Sequence, residues 1–247
     1  MSGGVGPVSE ISTSKEQEDE ATVKEKQEHK VFNKPKKTNS FSSLQQLNAL
    51  AVIIVLSASG MVSIQDFAFV VFTLFYMYFI SKVAFPTFSS SAEPPVFGEK
   101  NRILGLYVFT GALIGLFLPI AYIFEGVVEG DKEGIQAAVP HVFLLASQVF
   151  MEGVAFSDRF SLPIRVFVPV VYNSARIFTI MDWLRTEISK GHREFSGSER
   201  RLVVGRGLAV ANLAFWSFNL FGFLLPFYMP KAFKAYYASS PEIKKAA

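Results

Sequence analysis

The chain has 247 residues, half of them hydrophobic and 26 of them phenylalanine, and its mean hydropathy is +0.32. Charged residues make up 18% of the chain, below the roughly 25% of an average soluble domain, and the formal net charge is +3. No solvated face gathers the lysines and arginines, so nucleic acid is not an expected partner. The absence of cysteine excludes disulfides, thiolate metal sites, a cysteine nucleophile and lipidation of cysteine.

Residues 1–38 are polar, mixed in charge and almost free of large apolar side chains. Such a segment cannot bury enough surface to offset the entropy of ordering it, so the sequence predicts a flexible tail in the cytosol. The segment has no basic region followed by an apolar core, and a cleaved signal peptide is therefore not expected.

Six apolar segments follow, at about residues 44–62, 67–85, 103–124, 135–156, 162–183 and 207–228. Each has about the 20 residues that a helix needs to cross a hydrocarbon core of roughly 30 Å. The predicted fold is an all-α, polytopic helical membrane protein with four to six transmembrane helices. Its membrane domain is expected to cover residues 39–235, and a basic cytosolic tail is expected to cover residues 236–247.

The distribution of lysine and arginine predicts the orientation. The second loop contains Lys100 and Arg102, whereas the first loop has no basic residue. Four lysines lie just ahead of the first segment: Lys30, Lys34, Lys36 and Lys37. The positive-inside rule therefore places the N-terminus and the second loop in the cytosol. We expect the C-terminus there as well.

The later segments leave two arrangements open. Six spans would place the strongly basic loop 184–206 outside the cytosol, against the positive-inside rule. A fifth segment lying in the membrane interface, with a sixth segment folded back at Gly222 and Pro226, would keep that loop and the C-terminal tail in the cytosol.

Two short motifs bear on packing and location. The spacing Gly111-x-x-x-Gly115 lets two helices approach closely and is a candidate packing or dimerisation surface. Ordinary glycine enrichment in membrane helices is the alternative. Lys244 and Lys245 resemble the dilysine signal that returns membrane proteins to the endoplasmic reticulum, with a merely basic tail as the alternative. The endoplasmic reticulum or another endomembrane is the expected compartment.

Polar residues recur at helical spacing in the fourth and fifth segments. The first stripe consists of His141, Gln148, Glu152 and Arg159. The second stripe repeats the spacing with Arg165, Tyr172 and Arg176. Each stripe falls on one face of a helix, and six of these residues form a predicted intramembrane polar network: His141, Gln148, Glu152, Arg165, Tyr172 and Arg176.

The register of this network suggests one contact. If the two segments fold back near residue 160, Glu152 comes level with Arg165, and we hypothesise that they touch. An isolated charge in mid-bilayer costs about 3 kcal/mol on insertion scales, so such residues face partners or water. A polar pathway or a headgroup pocket is one reading. In the alternative interpretation, the two charges lie near a membrane surface and only hold the two helices together.

Enzyme signatures are missing from the sequence. The chain has three histidines, His29, His141 and His192, and none stands in an H-E-x-x-H motif. No G-x-S-x-G motif or glycine-rich phosphate loop occurs. No catalytic, cofactor-binding or metal-binding residue is therefore predicted, and no cofactor is expected.

Three runs of sequence carry a resemblance to a known family. The first extends from Glu93-Pro-Pro-Val-Phe to Phe124-Glu-Gly, the second is Pro140-His-Val-Phe-Leu-Leu, and the third is Glu152-Gly-Val-Ala-Phe-Ser-Asp-Arg-Phe. They resemble a family of plant polytopic membrane proteins without an assigned activity, over roughly residues 40–235. The resemblance implies a multi-pass membrane fold and contributes no functional residues.

These observations favour a non-enzymatic integral membrane protein of the endomembrane system that acts in membrane shaping, scaffolding or partner binding. The alternative is a small transporter or channel component that uses the polar stripe around Glu152, Arg165 and Arg176. The expected partners are the lipid bilayer, anionic lipid headgroups and other membrane proteins, and a homo-oligomer is left open.

Overall fold

The computed structural model describes residues 39–87, 102–156, 159–190 and 198–239, with side chains from Leu44 onward. The chain divides into two units, Met1–Phe41 and Ser42–Ala247, and the description that follows concerns the second. The predicted tail 1–38 and the motif at Lys244 and Lys245 lie outside the described residues.

The described residues form helices and no strands. The helices are α1 (Asn39–Ala58), α2 (Ile64–Val83), α3 (Arg102–Glu129), α4 (Lys132–Ala155), α5 (Leu162–Ser189) and α6 (Glu199–Ala238). Helices α2 to α6 are long and apolar enough to cross a membrane, and α1 has a shorter apolar part. The predicted all-α membrane fold is confirmed.

The connection between α3 and α4 is a tight turn that makes the two helices antiparallel. Gly130 ends α3 in the left-handed region, with φ of 73°, which glycine adopts without steric cost. The Asp131 side chain begins α4 by accepting the N–H of Gly134 at 2.9 Å. We call this end of the bundle the α3–α4 end, and the opposite end, which carries Phe156 and residues 159–161, the α4–α5 end.

Both terminal helices have their outer ends at the α4–α5 end. Near the start of α1, the side chain of Gln46 packs against Gly153 of α4. Near the end of α6, the Tyr236 hydroxyl donates to the Pro86 carbonyl at 2.9 Å. Gln46 of α1 and Tyr236 of α6 therefore lie at the same end of the bundle.

Helix α5 lies at the centre of the bundle. Tyr172, Arg176 and Trp183 on this helix are fully buried, and α5 packs against α4, α6 and α2. An interfacial fifth segment would instead leave one face of the helix outside the protein. Helix α5 is therefore not an interfacial helix. It can be buried because polar residues on it find partners on neighbouring helices.

Helix α6 is continuous from Glu199 to Ala238, so the chain does not fold back at Gly222 or Pro226. In a regular α-helix, the ring of Pro226 would clash with the carbonyl of Gly222, four residues earlier. Over Phe218–Tyr228 the helix winds into wider π turns, which accommodate the proline without breaking the helix.

Helix α3 contains a shorter π segment, Leu113–Phe117. The N–H of Leu118 reaches back five residues to the Leu113 carbonyl, so it no longer serves the carbonyl of Ile114. Pro119 has no backbone N–H, so it cannot donate to the Ile114 carbonyl, nor to the Gly115 carbonyl four residues earlier. The carbonyls of Ile114 and Gly115 are consequently available to side chains of other helices.

Two side chains use these carbonyls. Asn212 Nδ2 of α6 donates to the Ile114 carbonyl at 2.9 Å, and His141 Nε2 of α4 lies 2.9 Å from the Gly115 carbonyl. Because a carbonyl only accepts, Nε2 is the protonated ring nitrogen of His141. The irregular part of α3 is thereby fixed to both α4 and α6.

Candidate functional site

A cavity of about 410 Å³ lies among α3, α4, α5 and α6. Its wall is formed by the first half of α3, the last turns of α4, the first turns of α5 and the second half of α6. All four parts belong to the half of the bundle at the α4–α5 end. Most of the lining side chains are apolar, and the polar ones include Gln148, Glu152, Arg165, Asn219 and Tyr228.

Two charged residues line the cavity close to the ends of their helices. Glu152 lies three residues before the end of α4, and Arg165 lies three residues after the start of α5. At 1.5 Å of rise per residue, each is about 5 Å from a helix end. In a bilayer, both would lie near the depth of the lipid headgroups.

Glu152 is held by its neighbour on the same helix. Gln148 Nε2 donates to Glu152 Oε1 at 2.7 Å, one helical turn apart. The other end of the amide, Gln148 Oε1, is buried and makes no hydrogen bond in the described part of the chain. On the stretch of α4 that lines the cavity, Glu152 thus lies next to a residue whose buried amide oxygen has no donor among the described residues.

Arg165 turns toward the α4–α5 connection rather than toward Glu152. Its Nε donates to the Phe160 carbonyl at 3.2 Å, and its guanidinium lies 5.7 Å from the ring centroid of Phe156. Among the described residues, no ion pair joins Arg165 to Glu152. Both residues line the same cavity, and the hypothesised contact between them is not formed in the structure.

Arg176 lies deeper and is fully buried. Its guanidinium is 3.7 Å from the ring centroid of Trp216, and its Nη2 donates to Asn173 Oδ1 at 2.9 Å. The charge of Glu152 also attracts it. Cation–π stacking, the hydrogen bond to Asn173 and the neighbouring carboxylate together stabilise this desolvated guanidinium.

The other predicted network residues lie apart from the cavity. His141 is bound to α3, and Tyr172 packs edge-on against Phe69 at 5.3 Å between ring centroids. The Tyr172 hydroxyl makes no hydrogen bond within the described ranges. Arg159 is exposed in the connection after α4. The predicted network is thus divided into groups: Gln148 and Glu152 pair within α4, His141 binds the Gly115 carbonyl of α3, and Arg176 stacks on Trp216 of α6.

Gly111 and Gly115 provide close packing of α3 against α6. A Cβ atom on Gly115 would come within 2.6 Å of Trp216 Cζ2, and one on Gly111 within 3.1 Å of the Phe215 ring. Both glycines are buried within the chain. The motif therefore serves packing inside the protein.

A second charged site, at the α3–α4 end, was not anticipated from the sequence. It consists of Asp131, Glu187, Lys190 and Arg201, each at most 5% exposed. Lys190 Nζ lies 2.9 Å from both Asp131 Oδ2 and Glu187 Oε1, and Arg201 Nε lies 2.8 Å from Asp131 Oδ2. We call these four residues the ion cluster.

Neighbouring groups complete the ion cluster. The Tyr122 hydroxyl donates to Glu187 Oε1 at 2.7 Å, and Arg201 Nη1 donates to the Tyr122 carbonyl at 2.9 Å. Glycines make room for the charged groups: a Cβ on Gly126 would overlap Arg201, and one on Gly205 would lie 2.6 Å from Glu187 Oε2. The cluster ties the α3–α4 turn to the ends of α5 and α6.

The electrostatics of the ion cluster favour its charged form. Burial by itself raises the pKa of Asp131, but hydrogen bonds from Lys190, the Gly134 amide and Arg201 outweigh burial and lower that pKa below its ordinary value. Two acids face two bases, so the formal charge is balanced. Lys190 and Arg201 belong to the basic loop 184–206, whose positive charge conflicts with the positive-inside rule if all six segments span. In the structure both residues are paired with acids.

The cavity and the ion cluster occupy opposite halves of the bundle. In the described residues, no group of three or more His, Cys, Asp or Glu side chains is placed to hold a metal ion. The sequence did contain a signal for the ion cluster: an acidic loop and a basic loop that six spans place on one side. Which charges meet depended on the packing of the helices.

Comparisons with known proteins identify a family without an activity. Residues 42–237 match the family described as a domain of unknown function, DUF7733. Neither a curated protein nor a solved structure matches the chain. Because the match extends over all six helices of the bundle, this helical membrane protein belongs to the DUF7733 family.

Proposed function

We propose that this protein binds an amphipathic molecule of the bilayer in the cavity among α3 to α6 and acts as a small transporter. The observation that carries the proposal is the cavity itself, an apolar space with Glu152 and Arg165 at its headgroup-depth end. The proposal follows the sequence-based alternative of a small transporter that uses the polar stripe. The cavity takes the role that the continuous polar network had in that alternative.

The size and lining of the cavity suit such a ligand. Small-molecule sites in proteins usually have volumes of about 300–1,000 Å³, with apolar walls and a few polar groups, and this cavity has about 410 Å³. Charged side chains at membrane depth are costly unless they face partners or water. Glu152 and Arg165 face the same cavity without pairing with each other, which favours a ligand that meets both charges.

A transporter fits the bundle better than an open channel does. Beyond the cavity, the interior is filled by buried side chains that include Arg176, His141 and Trp183. The Trp183 ring lies 6.2 Å from the His141 ring and 5.6 Å from the Tyr122 ring, between centroids. The ion cluster then closes the α3–α4 end. The described interior between the cavity and the α3–α4 end is therefore packed, as expected of a carrier in one of its states.

The sequence-based hypothesis of membrane shaping depended on two expected features, a fifth segment in the membrane interface and a sixth segment that folds back. Helix α5 is central and α6 is continuous, so those features do not support shaping. We retain the endomembrane as the proposed compartment, with both termini in the cytosol. The shared end of α1 and α6 and the basic flanks of the sequence support this placement.

Ligand binding can be measured with tryptophan fluorescence. The chain has two tryptophans, of which Trp216 lines the cavity and Trp183 does not. The Trp183→Phe protein, purified as the full chain in detergent micelles, is titrated with a lysophospholipid brominated on its acyl chain. We expect saturable quenching of Trp216.

A matched pair of variants tests whether the quenching comes from the cavity. Val149→Phe fills the cavity from α4, whereas Val203→Phe makes the same change on an exposed face of α6. Val149→Phe should raise the half-saturating concentration about tenfold, a typical effect of losing an apolar contact surface. Equal titrations of the two variants would contradict the proposed site.

Transport itself requires a flux measurement. Liposomes that contain the protein and a fluorescent amphiphile in one leaflet should lose the asymmetry of the probe faster than empty liposomes. Val149→Phe should slow this exchange, and Val203→Phe should leave it unchanged. Binding without any exchange would retain the cavity as a ligand site and remove the transport part of the proposal.

A further inference from the structure

We infer that the ligand of the cavity is a zwitterionic phospholipid whose headgroup carries a primary amine, with the ammonium group at Glu152 and Gln148 and the phosphate at Arg165. The inference rests on the proposed function, because it specifies the chemical class of the molecule in the same cavity. It is argued from hydrogen-bonding capacity, charge, depth and shape.

The acceptors at the inner part of the site require N–H donors. Gln148 is 6% exposed and lines the cavity, and its Nε2 is already used on Glu152. Its Oε1 is buried and has no donor within the described ranges. Buried polar atoms in native proteins are nearly always hydrogen-bonded. A primary ammonium group provides three N–H donors, enough for Gln148 Oε1 and the Glu152 carboxylate together.

This requirement separates two common headgroups. The quaternary ammonium of choline has no N–H, so it could meet the charge of Glu152 but would leave Gln148 Oε1 without a donor. An ethanolamine headgroup meets both. The cost of an unsatisfied buried acceptor is therefore expected to disfavour choline lipids.

Arg165 provides the anion-binding part. Its Nε is used on the Phe160 carbonyl, and its two terminal nitrogens make no hydrogen bond to a described residue. The planar guanidinium matches two oxygens of a phosphate group. Arg165 and Glu152 lie at similar distances from their helix ends, as the phosphate and the amine of one headgroup would require.

The apolar part of the cavity suits an acyl chain that remains in contact with the bilayer. Val108 lines the cavity and is nevertheless 63% exposed. The part of the wall that Val108 forms therefore reaches the outer surface of the bundle, where the bilayer would lie. A lipid could place its headgroup at Glu152 and Arg165 and extend its chain past Val108 into the membrane.

Other amphiphiles satisfy the site less completely. A fatty acid or another purely anionic lipid would meet Arg165 but repel Glu152 and leave Gln148 Oε1 unsatisfied. A long-chain amine would meet Glu152 but leave Arg165 without an anion. A headgroup with both charges and N–H donors is the one that satisfies all three residues.

Lipid competition on the intact protein tests the inference. The full chain in detergent micelles is incubated with equimolar phosphatidylethanolamine and phosphatidylcholine of identical acyl chains, and bound lipid is counted by mass spectrometry of the intact complex. We expect the wild-type protein to retain phosphatidylethanolamine over phosphatidylcholine by about tenfold. Glu152→Gln and Gln148→Met should each bring that ratio close to one.

Two further variants separate charge from headgroup selectivity. Arg165→Gln should weaken both lipids by the same factor, because both carry the phosphate. Arg185→Gln removes an exposed arginine at the α3–α4 end and should change nothing. The melting temperature of each variant confirms that it is folded before its lipids are counted.

The outcomes distinguish the inference from the proposed function. Equal retention of the two lipids, with both reduced by Val149→Phe, would overturn the inference and leave the cavity as a ligand site. When an equimolar anionic phospholipid with the same acyl chains is added to the mixture, a preference for that lipid would also overturn the inference. Retention that Val149→Phe does not alter would overturn the proposed function.

Discussion

The guanidinium of Arg176 lies 3.7 Å from the ring centroid of Trp216, and this stack joins α5 to α6 at the base of the cavity. Asn173 strengthens the junction, since its Nδ2 donates to the Trp216 carbonyl at 3.0 Å and its Oδ1 accepts from Arg176. Trp216 in turn packs against Gly115 of α3. A single indole therefore forms part of the cavity wall and of the packed interior beneath it.

The first prediction concerns the charge partner of Glu152. Glu152→Gln and Arg176→Met each leave one uncompensated charge in the interior, whereas the double variant removes both. In a double-mutant cycle on unfolding in detergent, we expect a coupling free energy of roughly 0.5–3 kcal/mol, as for residues in direct interaction. The stacking on Trp216 is lost in both arms of the cycle and cancels.

The same cycle with Arg165 serves as the control. Because no ion pair joins Glu152 to Arg165, the coupling between Glu152→Gln and Arg165→Gln should stay below about 0.5 kcal/mol. A larger coupling to Arg165 than to Arg176 would show that the two side chains meet in the membrane, contrary to the structure.

The second prediction concerns the ion cluster. Asp131→Asn leaves Lys190 and Arg201 buried without their shared carboxylate, and breaking a buried ion pair in this way costs about 3–5 kcal/mol. Asp182→Asn is the matched control, because Asp182 pairs with Arg185 at 71% and 70% side-chain exposure and such pairs are worth at most about 1 kcal/mol. Similar unfolding free energies for the two variants would argue against the cluster.

The third prediction is a pH dependence at the acidic end. The pKa of Asp131 is lower in the folded protein than its ordinary value of 3.8. The stability that this carboxylate contributes is therefore fully present above its unfolded-state pKa, and it is lost as the pH falls through the lowered folded-state pKa. The wild-type melting temperature should fall more steeply below about pH 4 than that of Asp131→Asn. Parallel curves would show that Asp131 is not the group concerned.

The fourth prediction concerns close packing of α3 and α6. Gly115→Ala would bring a Cβ to 2.6 Å from the rigid Trp216 ring, and overpacking of this kind typically costs about 1–3 kcal/mol. Gly105→Ala lies on the same helix with nothing within 4 Å, so it should be neutral or slightly stabilising, since alanine is the better helix former. Thermal unfolding of both variants measures the difference, and an equal effect would exclude the steric account.

The fifth prediction is the sidedness of the chain. If α1 to α6 all cross the membrane, the C-terminus and the residue 190–198 connection lie on opposite sides. A tag placed at each position, with protease added to intact microsomes, should give a cleaved C-terminal tag and a protected connection tag. Cleavage of both tags would require α5 to remain on one side of the membrane, against its central position in the bundle.

The sequence by itself determined where the helices run. The apolar segments were long enough to cross a bilayer, and a helix occurs at each of them, because backbone groups in hydrocarbon must be satisfied within the same segment. The sixth helix, Glu199–Ala238, is much longer than the predicted segment 207–228. It also placed Glu152 and Arg165 at one level, since helical period and the fold-back near residue 160 fix their register. Composition alone was sufficient for the fold class.

Tertiary structure decided which partner each polar group takes. Asp131 meets Arg201, 70 positions away in the chain, and Glu152 is attracted to Arg176 rather than paired with Arg165. These choices depend on the rotation of each helix about its axis and on the glycines that let neighbours approach. In a membrane, apolar surface is satisfied by lipid on any side, so hydrophobicity specifies that a helix crosses but not which face it turns inward. Close packing and buried polar contacts set that face, and they exist once the helices have assembled.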